Sequence, residues 1–202
     1  MTLISCGDDD DDHDTVAAAG LYDPWTSNAG MPKLPSFTVT SSDVKDGEAL
    51  QTAQMSGIFG AGGTDTSPQL SWSGFPAETK SFVVTMYDPD AATGGGFWHW
   101  AVANIPVTTT SLATNAGNLN STLLPAGARQ QPSDASLARY IGAAPPPKSG
   151  KHRYFIMVHA LNVATLDGVN GFGSTSTPNF LGFNLIFNSI ARATIQPYAM
   201  GN

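Results

Sequence analysis

One stretch decides how this sequence folds: Tyr87-Asp88-Pro89-Asp90, a glycine-rich turn, and then Phe97-Trp98-His99-Trp100. The residues just before it, Ser81-Phe82-Val83-Val84-Thr85-Met86, are mostly apolar and β-branched, and they predict a buried strand. Beyond the turn the chain returns as a second strand. Two carboxylates therefore stand at the end of one strand, and a histidine stands on the strand that runs back past it. This arrangement predicts a polar pocket built on a sheet.

Alternation with a period of two assigns faces to the side chains of the returning strand. It places Phe97 and His99 together on one face, and Trp98 and Trp100 together on the other. By itself, a histidine in such a strand is more often a hydrogen-bonded core residue than a functional one.

The clearest strand of the chain runs from residue 151 to residue 161. Alternation puts His152, Tyr154 and Ile156 on one face and His159 on the other. We assign His159 a structural role and no part in the site. His152 and Tyr154 share a face, so they are candidates for one polar site.

Composition favours one mainly β domain with one or two helices at its edge. The 202 residues are long enough for one sizeable core, and they include 21 glycines and 14 prolines but only 12% charged residues. We predict an acidic, unstructured leader over residues 1–35 and a single domain over residues 36–202.

The acidity of the chain is local. Six of its sixteen acidic residues lie in Asp8–Asp12 and at Asp14, which leaves the remainder nearly neutral against nine Lys and Arg. No basic patch interleaved with aromatic residues is present, and we expect no nucleic-acid partner. The single cysteine excludes an intramolecular disulfide and a cysteine-based zinc site.

That cysteine lies in Leu3-Ile4-Ser5-Cys6-Gly7, which resembles the lipobox of bacterial lipoproteins. Lipidation of Cys6 would make the aspartate run a solvated tether and would place the protein in the periplasm or at the cell surface. The basic and apolar regions of a signal peptide do not stand ahead of the box, so a second interpretation stays open. It is an acidic leader with a free thiol on a cytoplasmic protein. A membrane association is expected only through the lipid.

The remaining segments have weaker signals. Phe37–Thr40 and Leu70–Ser73 are strand candidates. Residues 107–139 contain many turn formers, and we interpret them as long connections with room for one short helix. Apolar residues at mixed three-four spacing predict a single amphipathic helix over residues 179–195.

The candidate site residues also have simpler explanations. Asp88 and Asp90 flank a proline, which is common turn chemistry. Gly94–Gly96 could cradle a phosphate, although three glycines between strands are usually a hairpin loop. Asp88, His99 and His152 could in principle ligate a metal, which their spacing alone does not exclude, and we predict no metal and no cofactor.

Several spaced motifs together resemble the phosphatidylethanolamine-binding protein family, in its bacterial branch similar to Raf kinase inhibitor proteins. They are Tyr87-Asp88-Pro89-Asp90-Ala91, Phe97-Trp98-His99-Trp100, Gly142-Ala143-Ala144-Pro145-Pro146-Pro147 and His152-Arg153-Tyr154, with support from Ser67-Pro68-Gln69-Leu70-Ser71-Trp72 and Leu181-Gly182-Phe183-Asn184. The resemblance covers residues 36–195, in the order that the family shows.

The resemblance implies a large central antiparallel sheet packed on a smaller one, with peripheral helices. It also implies a pocket for phosphate-like anions, with ligand-binding residues at Asp88, Phe97, His99, Ala144, Pro146, His152 and Tyr154. We expect a binding protein for a small anion or a phosphorylated head group, without catalytic residues, that could regulate or inhibit a protein partner. The alternative is a hydrolase that uses Asp88 with His99 and His152, with or without a metal.

Overall fold

The structure is a computed structural model in which residues 33–201 are described, and Cys6 with nearly all of the predicted leader lies outside them. The described residues form ten strands, one α-helix and two short 3-10 helices. The strands are β1 (Thr38–Thr40), β2 (Leu70–Ser73), β3 (Ser81–Asp88), β4 (Phe97–Pro106), β5 (Ser111–Leu112), β6 (Arg129–Gln130), β7 (Gly150–Arg153), β8 (Phe155–Leu161), β9 (Ser189–Ile195) and β10 (Tyr198–Gly201). The helix α1 is Pro178–Asn188, and the 3-10 helices are Thr52–Gln54 and Val169–Gly171.

A five-stranded antiparallel sheet is the centre of the fold, with the strand order β6-β4-β3-β8-β9. Every residue of β3 and β8 is buried, because both faces of these strands are covered. This explains why their sequences are nearly continuous apolar runs instead of alternating ones. A three-stranded sheet, β1-β2-β5, and a pair, β10-β7, complete the strands that are described.

Each face of the central sheet has its own apolar core. On one face, Met86 and Trp100 belong to a cluster that includes Trp72 of the small sheet. On the other, Trp98 packs in a cluster that includes Leu181 of α1. The fold is therefore mainly β, a large antiparallel sheet packed on a smaller one with helix at its periphery, as predicted.

The predicted strand over residues 151–161 is divided in two. β7 pairs with β10, whereas β8 pairs with β3 and β9 in the central sheet, and Tyr154 lies at the break between them. The predicted faces are nevertheless correct, because Tyr154 and Ile156 pack in one cluster and Phe155 in the other.

The predicted faces of β4 are wrong at the two tryptophans. Met86 pairs with Trp100 and the next residue, Tyr87, pairs with Trp98, so His99 is an extra residue in β4 at this point. Such a β-bulge reverses the alternation beyond it. Trp98 and Trp100 consequently lie in the clusters on opposite faces of the sheet.

The predicted helix over residues 179–195 is only half correct. Thr177 caps α1 by accepting a hydrogen bond from the backbone N–H of Phe180, and α1 ends at Asn188. The chain continues as β9, whose residues are alternately buried and more accessible beside β8. Tertiary pairing with β8 thus overrides a pattern that is also compatible with helix. The short helix considered within residues 107–139 is absent from that described segment, which contains β5 and β6 joined by turns.

Candidate functional site

A cavity of about 200 Å³ opens where the end of β3 meets the start of β4 and the end of β7. The structure brings all seven predicted site residues into its lining. They are Asp88, Phe97, His99, Ala144, Pro146, His152 and Tyr154. Pro145, between the two predicted rim residues, also lines it, and four residues that sequence reasoning did not assign to the site complete the lining: Phe59, Ala91, Ala92 and Thr93.

Asp88 and His152 form a buried pair at the polar end of the cavity. Nδ1 of His152 lies 2.8 Å from Oδ2 of Asp88, and each residue is 2% exposed. Because the carboxylate only accepts hydrogen bonds, Nδ1 is the donor, and the Nε2 edge of the ring is left for another partner. Oδ1 of Asp88 accepts from the backbone N–H of Asp90 at 2.8 Å, so this residue also has the turn role expected of an Asp-Pro-Asp sequence.

His99 reaches the same cavity from the bulge of β4. Its Nδ1 lies 2.9 Å from the carbonyl oxygen of Ile141, and its Nε2 is buried without a hydrogen-bond partner in the described chain. Burial lowers the pKa of His99 below its usual value, against the opposing effects of the Ile141 carbonyl and the charge of Asp88. The ring is therefore neutral at neutral pH, with an available lone pair on Nε2.

Tyr154 lies beside His99 in the cavity lining. Its ring packs edge-on against that of His99, with the centroids 5.2 Å apart. The hydroxyl is buried and makes no hydrogen bond of good geometry with the described chain. Burial raises the pKa of Tyr154, and the charge of Asp88 raises it further, so the hydroxyl keeps its proton and can donate it.

An aromatic wall extends from the polar end toward the opening. The ring of Phe97 lies 4.8 Å from that of His99, and the ring of Phe59 lies 6.2 Å from that of Phe97, edge to face. Ala144, Pro145 and Pro146 form the rim. Phe59 lies in a glycine-rich loop that has no strand or helix periodicity, so the sequence gives no signal for its place in the wall.

An ion pair holds the turn after β3 against β7. The carboxylate of Asp90 accepts hydrogen bonds from Nε and Nη2 of Arg153, each at 2.8 Å, and from its backbone N–H at 2.9 Å. Arg153 lies between His152 and Tyr154 in the chain. The pair therefore fixes the strand end that delivers both side chains to the cavity.

The glycine turn is not part of the cavity lining. Gly94–Gly96 closes the hairpin between β3 and β4 and does not line the cavity, and the carbonyl of Gly95 accepts a hydrogen bond from Tyr87 at 2.8 Å. Within residues 33–201, no group of three or more His, Cys, Asp or Glu side chains is placed to hold a metal ion. In the same range, no helix has the length and apolarity that a membrane span requires.

Comparison with known proteins gives a consistent result. The family model for phosphatidylethanolamine-binding protein matches residues 40–198. The chain is 45% identical over 161 residues to the UPF0098 protein YbcL of Escherichia coli, covering 80% of this chain and 86% of that one. It is 42% identical over 155 residues to the UPF0098 protein YbhB of the same organism, covering 77% and 94%.

Solved structures of members of the same family are similar to this chain. The crystal structure of E. coli YbcL, described as a new member of the mammalian PEBP family, superposes with a TM-score of 0.77 at 44% identity, over 81% of this chain and 98% of that one. A phosphatidylethanolamine-binding protein homolog of Chlamydia trachomatis superposes with a TM-score of 0.65 at 26% identity, over 81% and 96%.

Proposed function

This chain belongs to the phosphatidylethanolamine-binding protein family, and we propose that it is a non-enzymatic binding protein whose cavity takes a small oxyanion. The oxyanion would be free phosphate or the phosphorylated head group of a lipid. One observation carries the proposal. Nε2 of His99 is buried without a hydrogen-bond partner in the described chain, and the Tyr154 hydroxyl, which lies near Asp88, is buried without a hydrogen bond of good geometry. Both stand beside a His152 ring that Asp88 holds in place. Buried polar groups of this kind are costly unless a ligand or water completes their hydrogen bonds.

The shape of the cavity supports a small ligand. A volume of about 200 Å³ accommodates a phosphate-sized group and part of a substituent, and does not suit a large cofactor. The polar groups are confined to one end, and the aromatic wall and the proline rim form the other. A ligand with a charged head and a short organic group would match both ends.

Hydrolysis is the second candidate, because a histidine oriented by a buried carboxylate is also the geometry of a general base. The cavity lining offers little else for that reaction. The only hydroxyl in the lining besides that of Tyr154 belongs to Thr93, which donates to the carbonyl of Gly96. Turnover of a phosphoester by the purified protein, lost in His152→Ala, would favour the hydrolase.

Two further parts of the proposal concern the surroundings of the protein. A protein partner that is regulated or inhibited through the rim of the cavity would be consistent with a binding role. Lipidation at Cys6, which lies outside the described residues, would place that role at a membrane surface. Each is a prediction to be tested by itself, since one cavity can serve several functions.

The experiment is a titration of the purified protein with inorganic phosphate and with phosphoethanolamine, followed through the histidine ring signals by NMR. We expect saturable shifts for His99 and His152, and markedly weaker binding in His99→Ala and His152→Ala. His13→Ala serves as the control, because the sequence gives His13 no role in the site. Absence of shifts, or unchanged affinity in both site variants, would refute the proposal.

A further inference from the structure

The hydrogen-bonding character of the cavity follows from its geometry. The carbonyl of Ile141 can only accept, so the 2.9 Å contact fixes the proton of neutral His99 on Nδ1. Nε2 is then an acceptor, not a donor. This matters because an anion that presents only lone pairs would meet another lone pair there.

The neighbouring groups add to the shortage of donors. Asp88 is acceptor-only when ionised, and it uses both oxygens toward Asp90 and His152. With Nδ1 of His152 donating to Asp88, its Nε2 is also an acceptor whenever that ring is neutral. Of the side chains that line the cavity, the Tyr154 hydroxyl is the one neutral donor without a fixed acceptor of good geometry.

The cavity lining also contains no side chain with a permanent positive charge. No Lys or Arg lines the cavity, and the nearby Arg153 is engaged by the carboxylate of Asp90. The charged and titratable groups around His99 are Asp88 from β3, His152 from β7 and Tyr154, which follows β7, with Asp90 and Arg153 beyond them. A dianion would therefore add its charge beside that of Asp88 without a permanent cation to balance it.

We propose that the cavity selects oxyanions that carry a proton, so that a P–O–H group donates to Nε2 of His99 while an unprotonated oxygen accepts from Tyr154. This rests on the proposed function and specifies its ligand as phosphate, or a phosphate monoester, in the monoanionic form. A dianion binds only together with one proton taken from solvent. Sulfate and phosphodiesters, which have no such proton, are disfavoured.

Burial supports this assignment, because it lowers the pKa of His99 and keeps the ring from supplying the proton near neutral pH. The predicted selectivity is about fivefold to 150-fold in affinity, since a buried acceptor that faces another acceptor loses roughly 1–3 kcal/mol. An intact phospholipid is a diester, so the inference favours free phosphate or a monoester as the source of the ligand.

The test is isothermal titration calorimetry of the full chain at pH 8, with inorganic phosphate, sulfate and dimethyl phosphate as probes. Phosphate is titrated in two buffers that differ in ionisation enthalpy, which counts the protons taken up. Most phosphate is dianionic at pH 8, so its affinity is referred to the concentration of the monoanion. On that basis phosphate should bind at least about fivefold more tightly than either other anion, with nearly one proton taken up. Vesicles of phosphatidylethanolamine form a fourth arm, and binding to them should be weaker than to phosphate.

Two variants separate the roles of the acceptor and the donor. His99→Leu removes the acceptor, and the ratio of phosphate to sulfate affinity should fall toward one. Tyr154→Phe removes the donor, and it should weaken both anions alike while the proton uptake remains. The wild-type measurements decide the question even if His99→Leu fails to fold.

The outcomes test the selectivity for protonated oxyanions and oxyanion binding itself separately. Equal affinity for sulfate and for phosphate referred to its monoanion, phosphate binding without proton uptake, or vesicles bound more tightly than phosphate would overturn the inference and leave oxyanion binding standing. No binding of any probe would overturn the proposed function and the inference together.

Discussion

The carboxylate of Asp65 accepts a hydrogen bond from the backbone N–H of Gly142 at 2.8 Å, although 77 positions separate them in the chain. Asp65 is 4% exposed and also accepts from the backbone N–H groups of Gly57, at 3.0 Å, and Ile58, at 3.1 Å. One buried carboxylate thus ties the loop that carries Phe59 to the segment that leads to the rim of the cavity.

Asp65→Asn should destabilise the protein and weaken phosphate binding. The amide nitrogen of asparagine would face N–H donors that the carboxylate now satisfies, a mismatch that costs about 2–3 kcal/mol in the free energy of unfolding. Phosphate affinity should fall several-fold, because Phe59 and the rim would lose their common anchor. Urea denaturation measures the first effect and calorimetric titration the second.

Asp46→Asn is the matched control for Asp65→Asn. Asp46 accepts a single backbone hydrogen bond, from Gln196 at 2.8 Å, and it is exposed. Its replacement should change the free energy of unfolding by less than about 1 kcal/mol and leave phosphate affinity unchanged. An Asp65→Asn protein that is as stable as the Asp46→Asn protein would contradict the anchoring role.

The sequence predicts which residues line the cavity better than it predicts the path of the backbone. Asp88, His99 and His152 stand in distinctive local patterns, so they can be recognised without knowing the register of the sheet. The faces of Trp98 and Trp100 depend on a single inserted residue in β4. Alternation cannot reveal such a bulge, because the register is set by the partner strand β3.

The other features that sequence analysis missed also depend on partners elsewhere in the chain. In residues 189–195 the apolar spacing fits both helix and strand, and pairing with β8 decides between them. Asp65 could not be identified from the sequence, because its partner at Gly142 is distant in the chain and a backbone N–H has no side-chain signature. The leader over residues 1–35, nearly all of which lies outside the described residues, stays a prediction.

Gly96→Ala should be strongly destabilising. Gly96 has φ of 69°, which L-residues rarely adopt, and a Cβ atom there would overlap the hydroxyl of Tyr87 and the backbone of Asp88. The positive φ alone costs about 1 kcal/mol, and displacing the end of β3 adds to it, so we expect a loss of at least about 2–3 kcal/mol by urea denaturation.

Gly95→Ala separates this effect from a general loss of glycine flexibility. A Cβ atom on Gly95 would meet nothing within 4 Å, and Gly95 does not have a positive φ. The free energy of unfolding should therefore change by less than about 1 kcal/mol in either direction. Equal effects of the two substitutions would show that the contact with Tyr87 does not constrain the turn.

Asp90→Asn should cost stability and should loosen the cavity. The substitution removes the charge that pairs with Arg153, whose side chain is 8% exposed, so we expect a loss of about 1–3 kcal/mol. Phosphate affinity should fall as well, since the pair fixes the end of β7. Thermal or urea denaturation and calorimetry measure the two effects.

Asp167→Asn provides the control for Asp90→Asn, because Asp167 also receives two hydrogen bonds from an arginine, Arg129. That pair is more exposed, at 30% and 47%, so it should contribute no more than about 1 kcal/mol. It lies outside the cavity lining, and phosphate affinity should not change. If the two variants were equally stable, the partly buried pair would have no special role.

Stability should fall as the pH drops below about 6.5, the ordinary pKa of histidine. Burial lowers the pKa of His159 to about 3, with a further contribution from the charge of Arg192, and burial also lowers the pKa of His99. In this window the unfolded chain binds protons that the folded protein excludes. The free energy of unfolding therefore decreases by up to about 1.4 kcal/mol per pH unit for each such group.

Urea denaturation at intervals from pH 8 to pH 4.5 measures this dependence, and His159→Gln should reduce its slope.

The pH range of the measurement decides which groups contribute to the slope. Asp90 has a lowered pKa because the hydrogen bonds and charge of Arg153 outweigh its burial, so its stabilisation is lost only below about pH 3.8. Asp134, whose pKa burial raises, has the opposite sign, since its protonation in the folded protein adds stability as the pH falls. Asp134 is unchanged in His159→Gln, so the difference between the two slopes belongs to His159. Identical slopes would mean that His159 does not exclude a proton in the folded protein.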